Sequence, residues 1–233
     1  MAVPRAARPA RAARPTPATR APRKRPDRYH HGDLRRALLQ EAVRTIQAHG
    51  VESLTLRAVG QRLGVSRTAL YRHFADKSAL LAAVAQEGFR TLRLALLDAW
   101  NGAPGTAAGL DAMGEAYVRF AVQHPSHYRV MFGGFVAGDG HGAEEEEEAE
   151  EGARAFQALV DALVALQPRR LVRDDDPLSL ARFIWSGVHG LSMLIIDGQL
   201  QHQGVDEATM VRFALDRLRT GIAPDDAASR AAR

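Results

Sequence analysis

The stretch LRAVGQRLGVSRTALYRHFADK, Leu56 to Lys77, leaves this chain the fewest options. Leu56, Val59 and Leu63 recur at helical spacing, so a first short helix with one apolar stripe is predicted over 56–63. Gly64 supplies the left-handed residue that closes such a helix, and Ser66 has the side-chain oxygen that caps the next one. Val65 and Leu70 occupy the positions of a hydrophobic staple, which fixes the angle at which the chain enters that second helix, predicted over 66–74. Leu70 and Phe74 then face inward, and Arg67, Thr68, Tyr71 and Arg72 lie on the opposite face with Ala69 and His73 beside them. Two guanidiniums, a hydroxyl, a phenol and a methyl suit phosphates, base edges and thymine methyls. The pattern is a helix-turn-helix with a candidate recognition helix; an ordinary helical hairpin with a polar outer face is the alternative.

Charge separates these two readings. The net charge is only +4, yet residues 1–77 hold 17 Lys or Arg against 5 Asp or Glu, a surplus of twelve cations, while the remainder carries a surplus of eight anions. A basic front joined to an acidic rear suits a DNA-binding head on a self-associating or ligand-binding body. Residues 1–28 contain nine of the cations and six prolines with few apolar side chains, so a disordered arm is expected there. It either follows the phosphates and the minor groove or is a solvated extension. An apolar fraction of 46% supports a real core, and the absence of cysteine excludes disulfides and thiolate chemistry. The longest apolar stretch, near Leu191 to Ile196, is too short to span a bilayer, and no export signal is legible, so a cytoplasmic protein without membrane contact is expected.

In chain order, Asp33 is the expected cap of a helix over 33–49 whose stripe is Leu34, Leu38, Ala42, Val43 and Ile46, closed at Gly50. Asp76 caps a long helix reaching about Trp100. A helix over 106–123 carries Met113, Tyr117 and Phe120, and a short one after Pro125 carries His127, Tyr128, Met131 and Phe132. The five glycines of Gly133 to Gly142 lack the lysine and strand context of a phosphate-binding loop. The run EEEEEAEE, 144–151, opens a helix bearing Phe156, where carboxylates interact favourably with the dipole. Two helices close the chain. The first, Pro177 to Leu200, has an apolar face including Ile184, Trp185, Val188, Leu191, Ser192 and Ile195 that is too wide for one-sided packing. The second spaces Ala208, Val211, Leu215, Leu218 and Ile222 as a coiled-coil-like seam. Both want helical partners, so Val188, Leu191, Ser192, Ile195, Val211, Leu215 and Leu218 are the expected dimer interface.

The run RYHHGDLRRALLQEA and the core from Leu54 to Leu81 resemble the DNA-binding domain of the TetR family of bacterial transcriptional regulators. HPSHYRVMFGG and IWSGVHGLSML, with Trp185, His189 and Gly190, resemble the C-terminal domain of a subgroup of that family marked by a tryptophan and a His-Gly pair. The resemblance implies an all-α fold: a helix-turn-helix head over 29–77, a helical effector-binding and dimerisation body over 78–223, and a short tail over 224–233. It also implies a homodimeric repressor, bound to a palindromic DNA operator and released by a small apolar effector, with no cofactor and no metal. Tyr71, His73 and Lys77 would touch phosphates, Arg67, Thr68, Ala69 and Arg72 would read bases, and Thr55 and Ser66 would join the DNA-facing set. The effector would lie among Trp100, Met113, Tyr117, Phe120, His127, Tyr128, Met131, Phe156, Trp185 and His189, although core packing explains those side chains equally well. The rivals are an all-helical enzyme and a protein-binding adaptor. For the first, His124, His127 and His189 are the acid–base candidates, but no nucleophile elbow, zinc motif or paired carboxylates accompany them.

Overall fold

The computed structural model describes residues 31–135, 143–200, 204 and 206–224. The expected arm over 1–28, the tip of the glycine loop and the tail from residue 225 lie outside them. The described residues form nine α-helices and no strand, so the architecture is all-α.

The head is built from α1 (His31–His49), α2 (Leu56–Arg62) and α3 (Arg67–Tyr71). The first helix starts two residues before Asp33, so that residue lies inside it and not at its cap. Leu34, Leu38, Ala42 and Ile46 are buried as one stripe, and Gly50, at φ +79°, ends the helix by donating to the Ile46 carbonyl at 2.8 Å. Thr55 caps α2, its hydroxyl accepting from the Ala58 N–H at 3.1 Å. Gly64, at φ +65°, closes α2 with the paired bonds Val65 N–H to Gly60 O and Gly64 N–H to Gln61 O, the Schellman arrangement. Ser66 caps α3 by accepting from the Ala69 N–H at 3.2 Å. The recognition helix is shorter than the expected 66–74. Asp76 is held extended as the cap of the following helix, so the chain must leave the helical path before it. Phe74 is nevertheless fully buried from the intervening turn, with the Arg35 guanidinium 5.2 Å above its ring.

The long α4 (Lys77–Asn101) joins head to body. Its 25 residues span about 37 Å. Its first turns bury Leu80, Leu81 and Val84 in the same core cluster as Leu38, Val59 and Phe74, and its later turns bury Phe89, Leu92 and Leu96 among body residues. Packing is therefore continuous across residue 77.

The body adds α5 (Ala107–Gln123), α6 (Pro125–Phe132), α7 (Ala143–Leu166), α8 (Pro177–Ile196) and α9 (Glu207–Gly221), with side-chain caps at Thr106, Asp176 and Asp206. Helix α4 packs on α5, α6 and α7, and α8 lies across α5, α7 and α9. The expected extension of α8 to Leu200 does not occur, because the chain turns away at Asp197 and Gly198, the latter at φ +71°. Among the described residues α8 is the one helix long and apolar enough to cross a membrane by length and composition. Here it buries Ile184, Val188, Leu191 and Ile195 in the bundle.

Candidate nucleic-acid interface and ligand cavity

Gly60 allows α2 and α3 to cross closely. A methyl group there would stand 3.3 Å from Leu70 Cδ2 and 3.6 Å from Val65 Cγ2, so the staple pair packs directly on bare backbone. This seats α3 with Arg67, Thr68, Tyr71 and Arg72 exposed, while Ala69, His73 and Lys77 are half-buried. The Arg67 guanidinium lies 5.5 Å from the centre of the Tyr71 ring, which holds both side chains on one face. Thr55 and Ser66, expected on the DNA side, have their hydroxyls engaged as helix caps. Lys77 Nζ donates to the Glu52 carbonyl at 3.4 Å. Arg57 and Gln61, one turn apart on α2, share a groove of about 450 Å³ with Arg67 and Tyr71. They are exposed additions to this face, legible in the sequence as the polar i, i+4 pair on the outer side of α2. Arg62 serves otherwise: its guanidinium donates to Glu41 at 3.3 Å and to the buried Thr45 hydroxyl at 3.0 Å, tying α2 to α1.

The body encloses a cavity of about 320 Å³ between α4, α5, α7 and α8. Of the expected effector residues, Met113, Tyr117, Phe156 and Trp185 line it. The others stand elsewhere. Phe120 is buried with its ring 5.1 Å from His124, and His127 is edge-on to His124 at 5.9 Å. Met131 packs beneath Gly88, and Trp100 packs against both larger core clusters. Tyr128 and His189 form a layer behind Tyr117. Sequence reasoning missed Phe89, Leu92 and Leu96 of α4, Phe132 of α6, Leu159 of α7, and Arg182, Ile184 and Val188 of α8. Their helical spacing was visible, but whether an apolar stripe meets another side chain or an open space depends on how the helices cross.

A hydrogen-bonded chain backs one wall. Trp185 Nε1 donates to the Tyr117 hydroxyl at 3.1 Å, the two tyrosine hydroxyls are 3.0 Å apart, and the Tyr128 hydroxyl is 2.7 Å from His189 Nδ1. Burial pushes the Tyr117 phenol up to about 12, against the opposing bonds from Tyr128 and Trp185. Burial likewise raises Tyr128 and lowers His189, so the chain is held neutral. His127 is lowered to about 4, first by burial and then by the neighbouring His124.

The expected dimer residues lie at different depths in the protomer. Val188, Leu191, Ser192, Ile195 and Leu215 are buried within the protomer, and Val211 and Leu218 are half-buried. The α9 seam is filled from inside the same chain. Methyl groups at Gly187 and Gly114 would stand 2.6 Å and 2.5 Å from the δ-carbons of Leu218 and Leu215, so these leucines close on α8 and α5. Exposed positions on these two helices include Phe183, Gly190 and Leu194 on α8 and Phe213 on α9, with Phe183, Leu194 and Phe213 47%, 46% and 57% exposed.

A family model described as bacterial regulatory proteins, tetR family, matches residues 38–84, and one described as tetracyclin repressor-like, C-terminal domain, matches residues 110–218. The tetracycline repressor protein class C of Escherichia coli is 44% identical over 52 residues, 22% of this chain and 24% of that one. A helix-turn-helix transcriptional repressor of Mycobacterium tuberculosis is 40% identical over 58 residues, 25% of this chain and 31% of that one. The chain thus spans about a quarter to a third of these curated relatives. A solved protein of unknown function from Rhodococcus sp. RHA1 is 32% identical, with 84% of this chain and 99% of that one covered at a TM-score of 0.73.

Proposed function

The chain belongs to the TetR family of bacterial regulatory proteins, and from that premise we propose that it is a DNA-binding transcriptional repressor, homodimeric, cytoplasmic and released from its operator by a small ligand. The observation that carries this reading is the rigidly seated α3, capped by Ser66 and stapled by Val65 and Leu70, which presents Arg67, Thr68, Tyr71 and Arg72 to solvent. In a major groove, Arg67, Thr68, Ala69 and Arg72 would meet base edges, and Tyr71, His73 and Lys77 would meet phosphates. For Lys77 this needs its weak bond to the Glu52 carbonyl to open or be shared. Arg57 and Gln61 extend the same surface along α2. The arm over 1–28 would add non-specific attraction.

Phe183, Gly190, Leu194 and Phe213 supply the dimer face, because large apolar groups this exposed on adjacent helices are what an isologous contact covers. A dimer would space two α3 helices about 34 Å apart, matching half-sites one turn of DNA apart or a multiple of that. Helix α4 links the two activities. It lines the cavity with Phe89, Leu92 and Leu96 and anchors the head core with Leu80 and Val84, so a ligand that displaces its middle acts on the head.

The enzyme reading has less to support it. His124 packs on His127 and on Phe120, and His189 accepts or donates within the tyrosine chain. Selection from randomised DNA tests the proposal. The wild type should return a palindrome, and Arg67→Ala should relax preference at one symmetric position by about 1–3 kcal/mol, the scale of one bidentate contact. No enriched motif from the wild type would refute the regulator, and an unchanged motif from Arg67→Ala would remove Arg67 from base reading.

A further inference from the structure

We infer that the cavity of the body takes a monocarboxylate amphiphile, its apolar chain inside and its carboxylate on Arg182 at the mouth. This rests on the reading of the cavity as the ligand site of a regulator and names the chemistry of that ligand.

The interior excludes a polar ligand body. The walls are apolar side chains and the bare backbone of Gly114 and Gly152, apart from three residues with polar groups, Tyr117, Trp185 and Arg182. The indole N–H of Trp185 is committed to the Tyr117 hydroxyl, which is bonded in turn to Tyr128. These polar atoms therefore satisfy one another without a ligand. A polar group carried into this space loses its water and displaces an existing bond to find a partner. An aliphatic chain loses nothing there and removes its own surface from water.

The mouth has the opposite character. Among the described residues Arg182 is the one charged side chain that lines the cavity, and it is exposed. Asp176, held below the usual carboxylate range first by its bonds from Ser179 and more weakly by the Arg182 charge, is committed to capping α8 through the Ser179 N–H at 2.9 Å and its hydroxyl at 2.7 Å. One guanidinium matches one planar monoanion bidentately, which favours a carboxylate. A phosphate monoester brings close to two charges against a single cation.

Calorimetry on the full chain with octanoate, decanoate and dodecanoate, each beside its matching alcohol, tests this. The acid should bind more tightly than the alcohol of equal length, although the alcohol is the more apolar molecule. Arg182→Gln should weaken the acid about fivefold, the scale of one solvent-exposed charge pair, and leave the alcohol unchanged. Arg182→Lys should restore most of the difference, and raised salt should diminish it. Gly152→Leu, which extends a side chain into the cavity from α7, should abolish binding of both. Alcohols binding as tightly as acids, a response to Arg182→Gln shared by both series, or no binding of either overturns the inference. Binding is read without DNA, so these outcomes stand apart from operator selection. A protein that binds decanoate but enriches no DNA motif refutes the regulator and keeps the ligand class.

Discussion

Removing one hydroxyl, Tyr128→Phe, probes the polar layer behind the cavity while keeping its packing. The Tyr128 ring lies 4.8 Å from Phe132 and stacks on His189 at 5.5 Å, and phenylalanine retains both contacts. What disappears is the oxygen that stands 3.0 Å from the Tyr117 hydroxyl and 2.7 Å from His189 Nδ1 at a fully buried position. Leaving buried polar groups unsatisfied costs about 1–3 kcal/mol. The Tyr117 hydroxyl is already 3.4 Å from His189 Nδ1, so a small closure lets those two groups bond directly. That compensation places the expected loss in the lower part of the range, about 1–2 kcal/mol. Tyr117→Phe should cost more, because it also orphans the Trp185 N–H, which has the Tyr117 oxygen as its partner. The two substitutions should be strongly non-additive, since each removes the same shared bond. Urea denaturation at one fixed protein concentration measures all three values, the fixed concentration keeping any contribution from self-association constant. A loss below about 0.5 kcal/mol for Tyr128→Phe, the range of an ordinary surface change, would refute the reading of this chain as a satisfied buried network.

Two further outcomes are expected. Phe183→Glu combined with Leu194→Glu should give a folded monomer in sedimentation that no longer holds a palindrome, because both side chains are exposed in the protomer; an intact dimer would place the interface elsewhere. For His127, the folded value of about 4 lies below the unfolded 6.5, so its contribution is complete above pH 6.5 and falls as the unfolded chain takes up a proton, by at most about 1.4 kcal/mol per pH unit down to about pH 4. His189 acts in the same direction, so the comparison is between wild type and His127→Gln, whose stability should fall less between pH 7 and 5; parallel curves would show that His127 is accessible to protons in the folded state.

The head could be read almost entirely from its residues. Caps at Ser66 and Asp76, the Gly64 closure and the Val65–Leu70 staple depend on groups within a few residues of one another, and local chemistry decides them. The all-α class, the helix order and the exposed face of α3 follow from that local chemistry and from apolar periodicity. The body was legible as helices but not as surfaces. Leu215 and Leu218 have the spacing of a partner-facing seam, yet they close on Gly114 and Gly187 of the same chain. Phe183 and Leu194, at the flank of the apolar stripe of α8, are left outside. The same limit applies to the cavity, where Met113 and Tyr117 line the space while Phe120, one periodic step beyond Tyr117 along α5, is buried outside it. Periodicity determines that a helix has an apolar side. Only the crossing of α4, α5, α7 and α8 decides whether that side meets a neighbour, a void or water, because the crossing depends on small residues far apart in the chain whose contacts have no local signature.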